Sequence, residues 1–187
     1  MEEFAPVVST RGSFNAVGEK TTPAHPVRKN LPRITLCHFS AVHAQLKSRS
    51  YHRECLPLAA SGVSIRYVSP ARVEAAQGIP GEKIEYCSIP RHDSRLRRAL
   101  AAPSLLRTLL RQRASVYHFQ DPELLPVAFA LTLFFRKRVI YDAYEDFPSM
   151  ALHARAIPRS LRPLAAKVIA AAERLAARTF DGIMTAD

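Results

Sequence analysis

The feature that most constrains this chain is an alternation, beginning at residue 33, of short apolar runs with longer amphipathic segments. β-branched and aromatic residues fill the short runs, which predicts strands, whereas the longer segments have helical periodicity. The predicted strands cover 33–39, 63–69, 83–90, 115–119, 138–143 and 181–186, and the predicted helical segments cover 50–62, 93–113, 122–135 and 161–178. This alternation indicates an α/β fold with a Rossmann-like parallel sheet and helices on both faces. Ligands of such sheets bind at the carboxyl ends of the strands.

Composition predicts one domain behind a leader. Residues 1–31 are rich in Pro, Ser, Thr and Gly and lack periodicity, which predicts a mobile leader. The remainder, 32–187, is long enough for one domain with a proper core. The acidic opening does not resemble a secretion signal, and the longest apolar run, 124–135, is too short to cross a bilayer. We therefore expect a cytoplasmic protein.

The three cysteines and several missing signatures exclude common functions. Cys37, Cys55 and Cys87 form no C-x-x-C pair, so neither a zinc site nor a disulfide framework is predicted. The first predicted strand is not followed by G-x-G-x-x-G, which argues against an ordinary dinucleotide site. P-loop and G-x-S-x-G sequences are also missing, which argues against NTP hydrolysis of that type and against the common hydrolases.

Two acidic segments follow predicted strands. Asp121-Pro122-Glu123 has the order of a helix start, with Asp as N-cap, Pro in the first turn and Glu complementing the helix dipole. We expect Asp121 to cap the helix and so set its N-terminus at the ligand edge of the sheet. The cluster of acids in "YDAYEDFP" (141–148) fits either a solvated loop or a ligand site.

The chain is strongly basic, with a formal net charge of +11. Residues 91–113 contain seven arginines and one acid, which fits either a solvated helix face or a surface attracted to anionic membrane. The membrane-surface candidates are Arg95, Arg97, Arg98, Arg107, Arg111 and Arg113. Nucleic acid is not favoured as a partner, because the chain has no helix-turn-helix, RNP-like or zinc-finger sequence.

Three segments in order, "SVYHFQDPELLPVAFAL", "KRVIYDAYEDFP" and "LAARTFDGIMTAD", resemble the N-terminal half of retaining GT-B glycosyltransferases, the family 4-like group. In that family one strand ends in His-x-His-Asp-Pro-Glu, another ends in Tyr-Asp-x-His-Glu, and a long helix leads to Phe-Asp-x-[Ile/Val]-[Ile/Val]-Thr. The resemblance covers about 33–187, and the order of the motifs is more specific than any one of them.

The resemblance implies two Rossmann-like domains facing each other across a cleft. The first binds the acceptor, and the second, which holds most of the nucleotide-sugar donor, is absent from this chain, so the chain alone is expected to be inactive. No metal or other cofactor is expected, because basic groups and helix N-termini meet the phosphate charge in this family. Catalytic residues are not assigned. The substrate-binding candidates are His43, His118, Gln120, Asp121, Glu123, Tyr144, Glu145 and Asp146.

Two positions depart from the family pattern. Gln120 stands in place of the second histidine of His-x-His-Asp, and Tyr144 in place of the histidine before Glu. Neither residue carries a proton near neutrality as histidine does. One hypothesis is therefore an acceptor-side glycosyltransferase domain, acting on a glycan or lipid-linked acceptor in cell-surface polysaccharide or glycolipid assembly at the inner face of the membrane. The alternative is a non-catalytic Rossmann-like module that pairs with a separate partner.

Overall fold

The computed structural model of the chain describes residues 34–42, 49–70 and 84–185. The strands are β1 (Thr35–Phe39), β2 (Ser64–Ser69), β3 (Ile84–Ser88), β4 (Val116–Phe119), β5 (Arg138–Ala143) and β6 (Gly182–Thr185). The α-helices are α1 (Leu56–Ala60), α2 (Arg95–Leu100), α3 (Ala102–Arg111), α4 (Leu125–Leu133), α5 (Phe147–His153) and α6 (Arg162–Thr179). A π-helical turn, Tyr51–Cys55, leads into α1, and 3₁₀ turns at Pro122–Leu124 and Arg159–Leu161 lead into α4 and α6.

The six strands form one parallel sheet in the order β3-β2-β1-β4-β5-β6. The chain runs outward from β1 to β3 and then returns to β4 on the other side of β1. This is the doubly wound order of Rossmann-like folds, so the predicted fold class is confirmed. The reversal between β1 and β4 creates a crevice at their carboxyl ends, which is where ligands of open α/β sheets bind.

Each face of the sheet has its own core, because side chains alternate along a strand. Phe39, Phe119 and Tyr141 stack side by side on one face and pack against α3, α4 and α6. Leu36, Ile65 and Tyr67 belong to the other face and pack against the segment from Tyr51 to Ala60. Gly62 ends that segment with φ of +98°, a left-handed conformation in which a Cβ is unfavourable.

The helical predictions need three corrections. The region 93–113 is two helices, because Pro103 lies in the first turn of α3 and the chain bends at Ala101. The segment 122–135 begins as a 3₁₀ turn, since Pro122 and Pro126 remove early backbone donors. α5 was not predicted, although the acid-Phe-Pro sequence before it is a helix start.

The remaining predictions concern the leader, the candidate His43 and the absence of a membrane-spanning helix. The leader 1–31 and the candidate His43 lie outside the described residues. Among the helices of the described ranges, none combines the length and the hydropathy that crossing a membrane requires.

Candidate functional site

A layer of polar side chains lies between the sheet and the helical segment that begins at Arg49. Strand alternation places His38, His118 and Asp142 on the sheet face that carries Leu36 and Ile65, nearer the carboxyl ends of β1, β4 and β5. The side chains of this layer, called here the polar layer, are His38, Arg49, Ser50, Glu54, His118, Gln120 and Asp142.

Two histidines from neighbouring strands form the centre of the polar layer. His38 and His118 are paired in register, and their Nδ1 atoms lie 2.9 Å apart. One ring must therefore donate its N–H to the bare nitrogen of the other. His38 is 0% exposed and also stacks on the ring of Tyr67, and His118 is 4% exposed. Burial lowers the pKa of His118 to about 4, so its imidazole is neutral at physiological pH.

A carboxylate from the π-helical turn meets the second nitrogen of His118. Glu54 Oε2 lies 3.5 Å from His118 Nε2. Burial, followed by the charge and hydrogen bonding of the neighbouring Asp142 carboxyl group, raises the pKa of Glu54 to about 7. Burial also raises the pKa of Asp142, although Arg49, at 4.0 Å, opposes that shift. Asp142, Glu54, His118 and His38 thus follow one another across the polar layer, and no hydrogen bond joins Glu54 Oε2 to His118 Nε2.

The π-helical turn is what brings these groups to the sheet. The backbone N–H of Leu56 donates to the carbonyl of Tyr51, the i to i+5 bond that defines the turn. The same segment buries Ser50, whose hydroxyl donates to Oε1 of Gln120. Single π-helical turns are rare and occur often at functional sites, because they re-aim side chains within a helix.

Asp121 corrects the expectation that its side chain caps the following helix. Its backbone has extended geometry, as an N-cap does, and its carbonyl accepts from Leu124 N–H at 2.9 Å. Its carboxylate turns instead to the end of β1, where Oδ2 accepts from the Ser40 hydroxyl at 2.7 Å and from the Ala41 N–H at 3.3 Å. The carboxylate therefore joins the ends of β1 and β4. The two hydrogen bonds that it accepts there stabilise it more than one bond from a backbone N–H in the first turn of the helix would.

Glu123 and Arg98 form a pair away from the polar layer. Arg98 Nη2 donates to Glu123 Oε2 at 3.0 Å, and Arg98 Nη1 donates to the carbonyl of His92 at 3.0 Å. The side chain of Arg98, a membrane-surface candidate, is thereby paired and only 15% exposed. Beside it lies a small cleft with a volume of about 100 Å³, lined by residues that include Ala41, Pro90, His92, Ser104 and Thr108.

Of the remaining candidates, Tyr144 lies against the partly exposed Arg49 at the mouth of the polar layer, and Glu145 and Asp146 follow it in the chain. The Arg49 guanidinium lies over the Tyr144 ring, 5.3 Å from its centroid, and that ring packs edge-on against Phe147. Glu145 is exposed. Asp146 accepts from Ser149 N–H at 3.0 Å and so caps α5. Hydrogen bonds from Ser149 lower the pKa of Asp146.

Sequence reasoning did not name His38, Ser50 and Glu54 as site residues, and it considered Asp142 only as one of the acids of the segment 141–148. A signal for His38 was present, since β1 and β4 end in the similar sequences "CHFS" and "YHFQ". In parallel neighbouring strands the two histidines then fall side by side. Glu54 carried no such signal, because its position depends on the π-helical turn.

The chemistry of the polar layer follows from its groups. Hydroxyl, amide, imidazole and carboxyl groups converge, and the positively charged guanidinium of the partly exposed Arg49 lies at the entrance. Such a set can hydrogen-bond a polyhydroxylated ligand and can exchange a proton near pH 7.

Comparisons with known proteins gave likenesses of fold. No family model matches the chain, and no curated protein matches it. Os79 from O. sativa, solved in complex with UDP and deoxynivalenol-3-glucoside, is similar with 15% identity and a TM-score of 0.49, over 82% of this chain and 46% of Os79. A short-chain dehydrogenase/reductase from Burkholderia vietnamiensis is similar with 16% identity and a TM-score of 0.40, over 83% of this chain and 84% of that protein. This chain thus spans less than half the length of Os79, and its own strand order establishes the Rossmann-like fold.

Proposed function

We propose that this chain is the acceptor-side domain of a nucleotide-sugar-dependent glycosyltransferase of the GT-B type. It acts in the assembly of cell-surface polysaccharide or glycolipid and requires a C-terminal donor-binding domain for turnover. The nucleotide sugar is the substrate held by that second domain, and a glycan or lipid-linked acceptor contacts this one.

One observation carries the proposal. The residues that match the family motifs after β4 and β5 lie at neighbouring carboxyl ends of strands, beside the crevice of a doubly wound sheet. At the mouth, Tyr144 offers a half-buried ring and Arg49 offers a partly exposed guanidinium. An aromatic ring beside hydrogen-bond donors suits the apolar face and the hydroxyl groups of a sugar.

Sugar binding can be tested on the chain itself. Saturation-transfer NMR with millimolar methyl hexosides should show contact with the protein, and Tyr144→Ala and Arg49→Ser should each weaken it about tenfold. Arg53→Ser is the matched control, because Arg53 is an exposed arginine on the same segment. The proposal fails if no glycoside receives saturation, or if both variants bind as the unmutated chain does.

Transfer can be tested by supplying a second domain. A chimera that carries the donor-binding domain of a characterised GT-B enzyme should consume that enzyme's nucleotide sugar, whereas this chain alone should not. Consumption that is unaffected by Tyr144→Ala would assign the activity to the added domain and contradict a role for this one.

The inner membrane surface is the proposed location, with α2 as the contact. Leu96 and Leu100 are 70% and 73% exposed and alternate with exposed Arg95 and Arg97, which is the pattern of an interfacial helix. Arg98 is excluded by its pairing with Glu123.

Vesicle binding tests that location. Replacing Arg95, Arg97 and Arg107 by Ser should weaken binding to vesicles containing phosphatidylserine by roughly a hundredfold, since each arginine contributes about 1 kcal/mol near such a surface. The control, replacing the exposed Arg155, Arg159 and Arg178 by Ser, makes the same change in net charge. Equal loss in both triple variants would indicate attraction by net charge alone and would contradict a membrane face at α2.

A second candidate is a non-catalytic binding module that works with a separate partner. The observation that favours it is the burial of His118 and Gln120, which are 4% and 3% exposed and are hydrogen-bonded to His38 and Ser50. The chimera separates the two candidates, because a non-catalytic module would leave the nucleotide sugar unconsumed while still binding its partner.

A further inference from the structure

Two nitrogen ligands and one oxygen ligand converge within the polar layer. His38, Glu54 and His118 each offer an atom that can bind a metal, and these three atoms all lie within 4.8 Å of one another. They come from β1, the π-helical turn and β4, so the fold fixes three separate backbones around one point. Histidine nitrogen and carboxylate oxygen are ligands that divalent transition-metal ions accept together.

One pair already has the separation of two ligands of a common ion. Two atoms bound to one ion at about 2.1 Å each lie about 3.4 Å apart at the tetrahedral angle. His118 Nε2 and Glu54 Oε2 lie 3.5 Å apart, and within the described residues neither atom makes a hydrogen bond. A 96%-buried imidazole whose Nε2 lacks a hydrogen bond calls for a bound ion, a water or a proton shared with its neighbour.

From this geometry we propose that His38, Glu54 and His118 form a binding site for one divalent transition-metal ion, with Zn²⁺ as the representative ligand. His118 Nε2 and Glu54 Oε2 provide two ligands in nearly their present positions. His38 provides the third by exchanging its hydrogen bond to His118 for a bond to the ion. Asp142, which adjoins Glu54, then orients that carboxylate.

Three protein ligands leave a fourth position open to solvent or to a ligand hydroxyl, as in zinc sites of the two-histidine, one-carboxylate type. The site therefore goes beyond the proposed function, since the resemblance implies no metal. It also stands independently of that function, because it rests only on the residues of the polar layer.

The test is metal binding by the full chain after treatment with chelator. Titration with Zn²⁺ against a chromophoric competitor should give one tight site per chain, and Co²⁺ should give the visible absorption of a four-coordinate ion. Glu54→Gln, His118→Asn and His38→Asn should each weaken Zn²⁺ binding at least about a hundredfold, since changing even an outer-shell partner costs tenfold to a hundredfold. His153→Asn, which alters an exposed histidine on α5, is the control and should bind as the unmutated chain does.

A chain without a tight Zn²⁺ site would overturn the proposal. So would Zn²⁺ binding that survives Glu54→Gln and His118→Asn unchanged, because the ion would then sit on other histidines. If a variant does not fold, the unmutated chain still decides the question through its ¹⁵N-labelled histidine rings. Zinc should shift the Nε2 signal of the buried His118, and a shift confined to exposed histidines contradicts the site.

Discussion

At the scale of single residues, Asp121 does more for the sheet than for the helix it precedes. Its buried carboxylate accepts one bond from the Ser40 hydroxyl and one from the Ala41 N–H, and so fastens the end of β4 to the end of β1. Hydrogen bonds to a charged group contribute about 1.5–3 kcal/mol each, and removing the acceptor leaves buried donors unsatisfied. The crevice between β1 and β4 therefore depends on this residue for its shape.

We expect Asp121→Ala to lower the free energy of unfolding by about 2–4 kcal/mol, because the buried Ser40 hydroxyl and the part-buried Ala41 N–H each lose a charged acceptor. Asp121→Asn keeps one oxygen for Ser40 and should cost less. Urea denaturation monitored by circular dichroism measures both. Asp93→Ala is the control, since Asp93 is a well-exposed carboxylate in a surface pair with Arg91, and it should stay within about 0.5 kcal/mol. If Asp121→Ala matched that control, the tie between the strand ends would contribute nothing to stability.

At the scale of elements, the apolar face that periodicity predicts for α6 differs from the face that is buried in the structure. The predicted apolar face at 161–178 is helical, but only its alanines enter the core, with Ala176 fully buried and Ala172 packed beside it. Leu161, Leu164, Val168 and Leu175 are each 49–60% exposed. Leu161, Val168 and Leu175 recur seven residues apart, and Leu164 lies four residues before Val168. These four side chains therefore form an apolar stripe along one side of α6. Periodicity locates an apolar face, but it does not say which part of that face the rest of the chain covers.

We expect Leu164→Gln combined with Val168→Gln to reduce self-association of the chain while leaving its stability within about 0.5 kcal/mol, because both side chains are mostly in water already. Light scattering coupled to size exclusion measures the first effect and urea denaturation the second. Leu58→Gln, in α1, changes an exposed leucine outside the stripe and is the control. A loss of stability well above 1 kcal/mol would show that the stripe belongs to the core.

At the scale of the whole molecule, the sequence predicts the sheet better than it predicts the site. Strand alternation located all six strands, and the Rossmann-like class followed from the alternation of strands with helices. The polar layer could not be predicted in the same way, since Ser50, Glu54 and Asp142 meet only after crossovers bring distant segments together. A π-helical turn adds one residue per hydrogen-bonded ring and shifts every later side chain, an effect that 3.6-residue periodicity does not reveal.

The three cysteines of the chain differ in how deeply the two cores bury them. Cys37 lies in the central strand β1 and Cys55 ends the π-helical turn; both are 0% exposed. Cys87 lies in the edge strand β3 and is half-buried. Burial raises the pKa of the Cys37 thiol well above its usual value of 9.0 and raises that of Cys55 to about 12. Both thiols therefore remain protonated and unreactive in the native fold.

We expect iodoacetamide at pH 8 to modify Cys87 quickly, and Cys37 and Cys55 only as fast as the fold opens, because the thiolate is the reactive form. Mass spectrometry of peptides over time gives the three rates, and urea should accelerate the two slow ones together.

The raised folded-state pKa of Cys37 and Cys55 also makes the stability of the chain depend on pH. Above pH 9 the unfolded chain loses these protons first, so stability present below pH 9 is lost as the pH rises. Equal rates of modification at all three cysteines would contradict the burial of Cys37 and Cys55. Denaturation curves that do not change between pH 8 and 10 would contradict it too.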